Sequence, residues 1–388
     1  MLKQIEAVAI AGIGQTEFSK HSGRSELSLA AESVKNALDD AGLTVADVDG
    51  LVTYTIDSNE EVDLVRTMGM GDISFFSRVP FGGAGAVGTI AHACAAIRAG
   101  VANVVVVWRA MNERSENRFG QIDTTRGRTV GGGGTSDMSW AFDMGAYTPM
   151  AWQALNAKVY MDRFGVTNED FGRVVVEQRR YAATNPNAHF YQRPVTLEEH
   201  QDSPWIVEPV LRKFDCCQES DGGVAVVLTS LERARDLRQP PVAVVAAQGG
   251  GNGSQIATNH YAEDLSVMSE AFVTARHLFA MADITPVDIQ VAQLYDAYSC
   301  SVLYQLEAFG FCGVGEAADF VRDGHLAIDG RLPTNTHGGL IGEAYIHGLN
   351  SLTEGVRQAR GKAVNQVFNV QNVLVASGWS AAILSRDQ

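Results

Sequence analysis

Short apolar runs of strand length alternate along this chain with stretches whose apolar residues recur every three or four positions. Ala7-Val8-Ala9-Ile10-Ala11 has no polar interruption, closes on Gly12-Ile13-Gly14, and predicts a buried strand. From Ser25 to Ala41 the apolar positions take helical spacing and stop at Gly42. Asp47-Val48-Asp49-Gly50 then turns the chain into a strand over Leu51–Tyr54. A glycine-rich stretch, 81–86, opens an alanine-rich helix that ends at Ala99-Gly100, and Val101–Trp108 reads as another buried strand. Strands alternating with helices predict an α/β fold built on a parallel or mixed sheet.

The pattern repeats. Ala41-Gly42-Leu43-Thr44-Val45-Ala46-Asp47-Val48-Asp49 returns 241 positions later as Ala282-Asp283-Ile284-Thr285-Pro286-Val287-Asp288-Ile289-Gln290. Both copies follow a helix and precede a strand, and the same offset carries Tyr54 onto Tyr295. A glycine-rich turn before a helix occurs at Gly82-Gly83 and again at Gly338-Gly339. Two matches in one order predict a duplicated α/β unit. Between 112 and 215 the texture changes: helical spacing over 151–164 and 168–183, then the loop Asn185-Pro186-Asn187. The glycine run 131–134 lacks the trailing Lys-Ser/Thr of a phosphate loop and reads as a mobile loop near a substrate entrance. Asp215 to Ser230 returns to the sheet through a strand over Val224–Leu228, and 238–241 reads as a joint. The expected organisation is a first half made of 1–111 and 216–238, an inserted loop domain over 112–215 lying on that half, and a second half over 239–388.

Composition narrows the function. With 388 residues, 46% of them hydrophobic, the chain can bury one large core or two fused halves. Its 45 acids against 30 bases give a formal charge of −15, which disfavours nucleic acid and anionic membranes as partners. The five cysteines show no paired spacing, and the adjacent Cys216-Cys217 do not make a zinc knuckle. No run of eighteen apolar residues appears, so no membrane span is expected. The first residues lack the basic leader, long apolar core and cleavage site of a signal peptide. A reduced, cytoplasmic protein is expected.

Five segments, spread over nearly the whole chain, carry a resemblance: VAIAGIGQTEF from Val8, NPNAHF over 185–190, DCCQESDGGVAVVL over 215–228, QLYDAYS over 293–299 and GGLIGEAYIHG over 338–348. Together they resemble the thiolase superfamily, in its sterol-carrier-protein/lipid-transfer branch. The resemblance implies a thiolase fold, five layers in the order αβαβα, with two pseudo-duplicated halves and the active site between them. It also implies a homodimer through the core. Proteins of this branch often pair with a small OB-fold/zinc-ribbon (DUF35-type) protein that binds acyl-CoA, so a heterotetramer is expected.

The departures from that family decide the chemistry. The thiolase nucleophile, a cysteine at a helix N-terminus, aligns with Gly83, while Cys94 lies turns deeper in the helix, where a structural role is expected. The family's second cysteine should fall within 372–379, which reads NVLVASGW. Two active-site histidines align with Tyr295 and Tyr345, and phenols both donate and accept protons. In this the chain resembles the thiolase-like aldolases of bacterial steroid side-chain degradation, which split a β-hydroxyacyl-CoA into a 17-ketosteroid and propionyl-CoA. A retro-aldol beside a thioester needs neither a Schiff-base lysine nor a metal, because the carbonyl accepts the charge as an enolate. No cofactor or metal is therefore expected, and the substrate is a coenzyme A thioester.

Tyr295 and Tyr345 are the expected acid/base pair, Tyr345 as base and Tyr295 as the acid that protonates the enolate. A phenol acting as base requires a lowered pKa. The amides of Gly82-Gly83 are the expected oxyanion hole. For Gly83 two readings stand: room for a bulky substrate, or a tight turn. His347 is a candidate for the thioester oxygen or for tuning the phenol. Asp296 is a candidate for orienting a neighbour at the substrate site or for capping the turn after its strand. The rival readings are an acyltransferase or Claisen condensing enzyme with a nucleophile not yet placed, and a non-catalytic lipid or acyl-CoA-binding subunit.

Overall fold

The computed structural model describes residues 7–80, 82–116, 118, 144–146, 148–250 and 263–387. Its first half runs β1 (Val8–Gln15), α1 (Glu26–Ala41), β2 (Gly50–Tyr54), α2 (Glu61–Met68), β3 (Phe75–Val79), α3 (Gly88–Arg98) and β4 (Val104–Asn112). Helices α4 (Pro149–Phe164), α5 (Asn168–Thr184) and α6 (Leu197–Asp202) and a ribbon of β5 (Trp205–Val207) with β6 (Leu211–Arg212) follow. The chain then returns through β7 (Asp221–Ser230) and α7 (Leu231–Ala234). The second half comprises β8 (Val242–Gly249), α8 (Ser269–Ala282), β9 (Val291–Leu294), α9 (Cys300–Ala308) and α10 (Ala317–Arg322). It closes with α11 (Gly339–Gly342), α12 (Leu349–Arg360), β10 (Asn372–Ala376) and β11 (Ser380–Arg386).

The strands join in the order β3-β2-β4-β7-β1-β8-β11-β10-β9, which reads nearly the same from either end. β2 pairs parallel with β3 and β4, as β9 pairs parallel with β10 and, through the single bridge Ala292–Thr334, with a remnant of a further strand. β7 lies antiparallel between β4 and β1, as β11 lies antiparallel between β10 and β8. The duplication expected from 41–49 and 282–290 is therefore a property of the sheet. It is also local: Gly42 and Asp283 both cap their helices in the left-handed region, at φ 76° and 54°. Thr44 with Asp47 and Thr285 with Asp288 then form equivalent capping boxes.

All of β4 is buried, yet its side chains still divide by twos. Val104, Val106 and Trp108 pack with α1, and Val105 and Val107 pack with α3 and α12. Helices α3 and α12 thus fill a central layer between the two halves of the sheet, α1 covers one outer face and α8 the other. These are the five layers of the expected thiolase fold.

One expectation fails. The segment 149–215 lies on the second half, not the first, whereas Asn112, Arg114 and Ser115 stay with the first, bonded to Arg24 and Asp221. Ala157, Tyr160, Phe171 and Val174 share a core with Leu278, Leu303 and Leu306. Polar contacts fix the seat: Tyr160 donates to Glu307, Arg322 pairs with Asp170 at 2.7 Å, and Asn185 donates to the His337 carbonyl at 2.9 Å. The apolar stripes of α4 and α5 are matched by the buried faces of α9 and α10. The glycine run 131–134 lies outside the described residues. No helix among the described residues is long and apolar enough to cross a membrane.

Candidate active site

The last residue before β9 leaves the sheet sets the site. Tyr295 is tied to β10 by its N–H to the Ala376 carbonyl at 2.9 Å, so the strand aims its ring at the seam between the halves. Tyr345 lies in the turn between α11 and α12, with its N–H on Ser220 Oγ at 3.2 Å. The two hydroxyls meet at 2.8 Å. Both phenols are pushed well above their ordinary pKa, first by burial, with nearby acids and thiols adding to the shift. They rest as neutral acids. The lowered pKa expected of a phenolic base is therefore not found.

The glycines make room for this pair. A Cβ built on Gly83 would sit 1.7 Å from the Tyr295 hydroxyl, and one on Gly82 would sit 2.7 Å from His347 Cε1. The space left at Gly83 is occupied by the tyrosine itself, so this glycine makes room for the Tyr295 ring and not for a bulky substrate. A cysteine there and a tyrosine at 295 exclude one another sterically.

His347 holds a left-handed backbone, φ 50°, and packs edge-on to Tyr345. Arg109 Nε donates to its Nδ1 at 3.0 Å. Because a guanidinium only donates, Nδ1 carries the lone pair and the ring proton sits on Nε2. Burial, and then the Arg109 charge, hold the imidazole well below its ordinary pKa, so it is neutral. Arg109 is itself buried and paired with Asp57 at 2.7 Å. Sequence reasoning missed both residues, although an arginine directly after Val104–Trp108 is an unusual continuation of an apolar strand.

Asp296 does not belong to the substrate site. It is fully buried, lies outside the cavity lining, and accepts the N–H groups of Leu340 and Ile341 at 2.9 and 3.2 Å. It caps α11, forty-odd residues downstream, and not the turn after its own strand. A Cβ on Gly339 would lie 2.2 Å from its Oδ2, which accounts for that glycine.

Gly82, Gly83, Tyr295, Tyr345 and His347 line one cavity of about 550 Å³. Met150, Trp152, Met268 and Trp379 contribute apolar wall. Several lining residues were not foreseen. Lys20 lies there, but its Nζ donates to Gln218 Oε1 at 3.0 Å and the Glu219 carbonyl at 2.7 Å. Cys216 and Cys217 line it too, each with its thiol pushed up first by burial, the reverse of an activated nucleophile. Two buried carboxyls, Glu113 and Glu270, each leave Oε2 without a partner among the described residues. Cys94 is buried inside α3 and pushed up to about 12, first by burial, as expected of a structural thiol.

Comparison with known proteins meets this geometry. Residues 251–385 match the family model of the thiolase C-terminal domain-like proteins. The chain is 52% identical over 98% of both chains to a steroid side-chain-cleaving aldolase of Thermomonospora curvata. The chain belongs to the thiolase superfamily, among its side-chain-cleaving aldolases. This aldolase is also 51% identical, over 95% of its own length and 96% of the other's, to the 17-hydroxy-3-oxo-4-pregnene-20-carboxyl-CoA lyase of Mycobacterium tuberculosis. It superposes on the solved Ltp2-ChsH2(DUF35) aldolase with a TM-score of 0.92 at 50% identity, over 99% of this chain and 98% of that one. An acetyl-CoA acetyltransferase of Syntrophomonas wolfei, at 15% identity and TM-score 0.69, shares the fold. The enzyme is thus a carbon–carbon lyase on a thiolase scaffold.

Proposed function

We propose that the enzyme cleaves a β-hydroxyacyl-CoA by a retro-aldol reaction, its substrate a steroid 17-hydroxy-20-carboxyl-CoA and its products a 17-ketosteroid and propionyl-CoA. The observation that carries this reading is the hydroxyl pair Tyr295–Tyr345, 2.8 Å apart in a partly apolar cavity, where the scaffold's thiol chemistry has no room. The names of the relatives supply the substrate class.

The bond between the hydroxyl-bearing carbon and the thioester's α-carbon breaks as the hydroxyl loses its proton. Its electron pair passes to the α-carbon and the thioester oxygen, so the substrate is its own electron sink and no cofactor is called on. The Gly82-Gly83 amides and the Nε2–H of His347 are the donors for the developing oxyanion. Tyr295, against Gly83, serves the α-carbon side, and Tyr345 the hydroxyl side. The proton lost at oxygen and the proton gained at carbon balance. A thiolase-type acyl transfer finds no support, since the cavity thiols are un-ionised.

The chain's formal charge of −15 disfavours an anion such as coenzyme A, and an OB-fold/zinc-ribbon partner of the DUF35 type would hold it, with the catalytic chains paired as a homodimer. The test is product analysis with a β-hydroxyacyl-CoA whose hydroxyl is tertiary, with and without that partner. Ketone and propionyl-CoA in equal amounts are expected. An acyl-enzyme trapped on a cysteine, or tight binding without turnover in both conditions, overturns the reading.

A further inference from the structure

The phenol pair has protons to give and no settled place to put the first one received. A neutral phenol accepts a proton only as it passes its own on. Cleavage that starts at a tertiary hydroxyl calls for a group that holds the proton while the carbon–carbon bond breaks.

Glu113 stands where such a group is needed. It directly follows β4, is 4% exposed, and lines the same cavity as both tyrosines. Its Oε2 is buried and has no partner among the described residues, and the Ser220 N–H lies close enough to favour the carboxylate. Leaving a buried carboxyl oxygen unpaired carries the full desolvation penalty of that oxygen. A ligand hydroxyl that donates to it removes that cost. The same Ser220 receives the Tyr345 N–H on its Oγ, and Glu219 bridges to the Tyr345 backbone. Glu113 is therefore on the Tyr345 side of the pair, whereas Gly83 abuts Tyr295.

We propose that Glu113 is the catalytic base of the cleavage, its Oε2 taking the substrate's hydroxyl proton while the Tyr345 hydroxyl holds the oxygen. The inference rests on the aldolase reading. Glu113 gains the proton as the carbon–oxygen bond becomes a carbonyl and the enolate forms. Tyr295 protonates the α-carbon, Tyr345 reprotonates Tyr295, and Glu113 returns the proton to Tyr345. The cycle closes with no net proton, oxidant or reductant.

The groups facing the carboxyl are Glu219, itself paired with Arg118 at 2.6 Å, then Arg109 and Lys20, with Cys217 and the two phenols beyond. Burial, and next Glu219, raise its pKa well above the carboxylate range, against Arg109 and Lys20. Only the ionised form accepts a proton, so turnover rises with pH through a limb above the ordinary carboxylate range.

The experiment uses the full chain with its OB-fold partner and the tertiary β-hydroxyacyl-CoA. Glu113→Gln is expected to lower kcat at least about 10²-fold, leave KM within about threefold, and flatten the acidic limb. Glu113→Asp, which keeps the charge and shortens the reach, is expected to lower kcat yet keep the limb; it carries the test if the amide variant does not fold. An amide variant at near-normal rate, or one that is slow with the limb intact as a structural role would give, overturns the proposal, as does an unaltered kcat in the aspartate variant. A wild type that does not cleave overturns the aldolase reading and this inference with it.

Discussion

Tyr54 and Tyr295 hold the same station in the two halves: a left-handed cap, a Thr–Asp box, a strand with parallel neighbours, then the tyrosine. In the first half the start of α3 closes over the ring. Tyr54 is fully buried, and its hydroxyl donates to the Ala86 carbonyl at 3.4 Å. In the second half the ring opens onto the cavity and its hydroxyl meets Tyr345. The duplicated station carries a phenol in both halves, and its neighbours make one a core residue and the other a cavity residue. Gly83 is central to that difference, since any side chain there would occupy the place of the Tyr295 hydroxyl.

The comparison is broken most severely at the hydroxyls themselves. Tyr295→Phe is expected to lower kcat at least about 10²-fold, the lower range for a lost proton donor, measured on a tertiary β-hydroxyacyl-CoA. Next comes Gly83→Ala, whose overpacking against the Tyr295 ring is expected to cost about 1–3 kcal/mol in chemical unfolding. That cost should shrink in a Tyr295→Ala background, and equal costs in both backgrounds would show that the ring is not what the methyl meets. The smallest effect is expected at the partner tyrosine: Tyr54→Phe should leave kcat unchanged and remove at most about 1 kcal/mol of stability, one weak hydrogen bond. A large loss of turnover there would deny the division of labour between the halves.

Much of the fold was legible in the sequence because strands such as Val8–Ala11 and Val104–Trp108 are apolar runs, and because Thr44–Asp47 and Thr285–Asp288 repeat a whole turn. The seat of 149–215 was not, since an amphipathic helix states which face is buried and not against what. In the site, Gly82, Gly83, Tyr295, Tyr345 and His347 were found by their displacement from a family's motif, and the structure brings all five together. Asp296 misled because its partners, the Leu340 and Ile341 amides, are distant in sequence. Asp57, Arg109 and Glu113 escaped for a related reason. A charge next to an apolar strand reads as the strand's solvated end until the opposite half is seen to cover it.

The proposed cleavage needs the two phenols to work as one proton-transfer unit. The most direct measurement is kcat for Tyr295→Phe, Tyr345→Phe and the double variant, assayed on the same thioester with the partner present. Members of one unit fail together, so the double variant should be no more than about threefold slower than the slower single variant. Losses that multiply, or single variants that turn over normally, would contradict it.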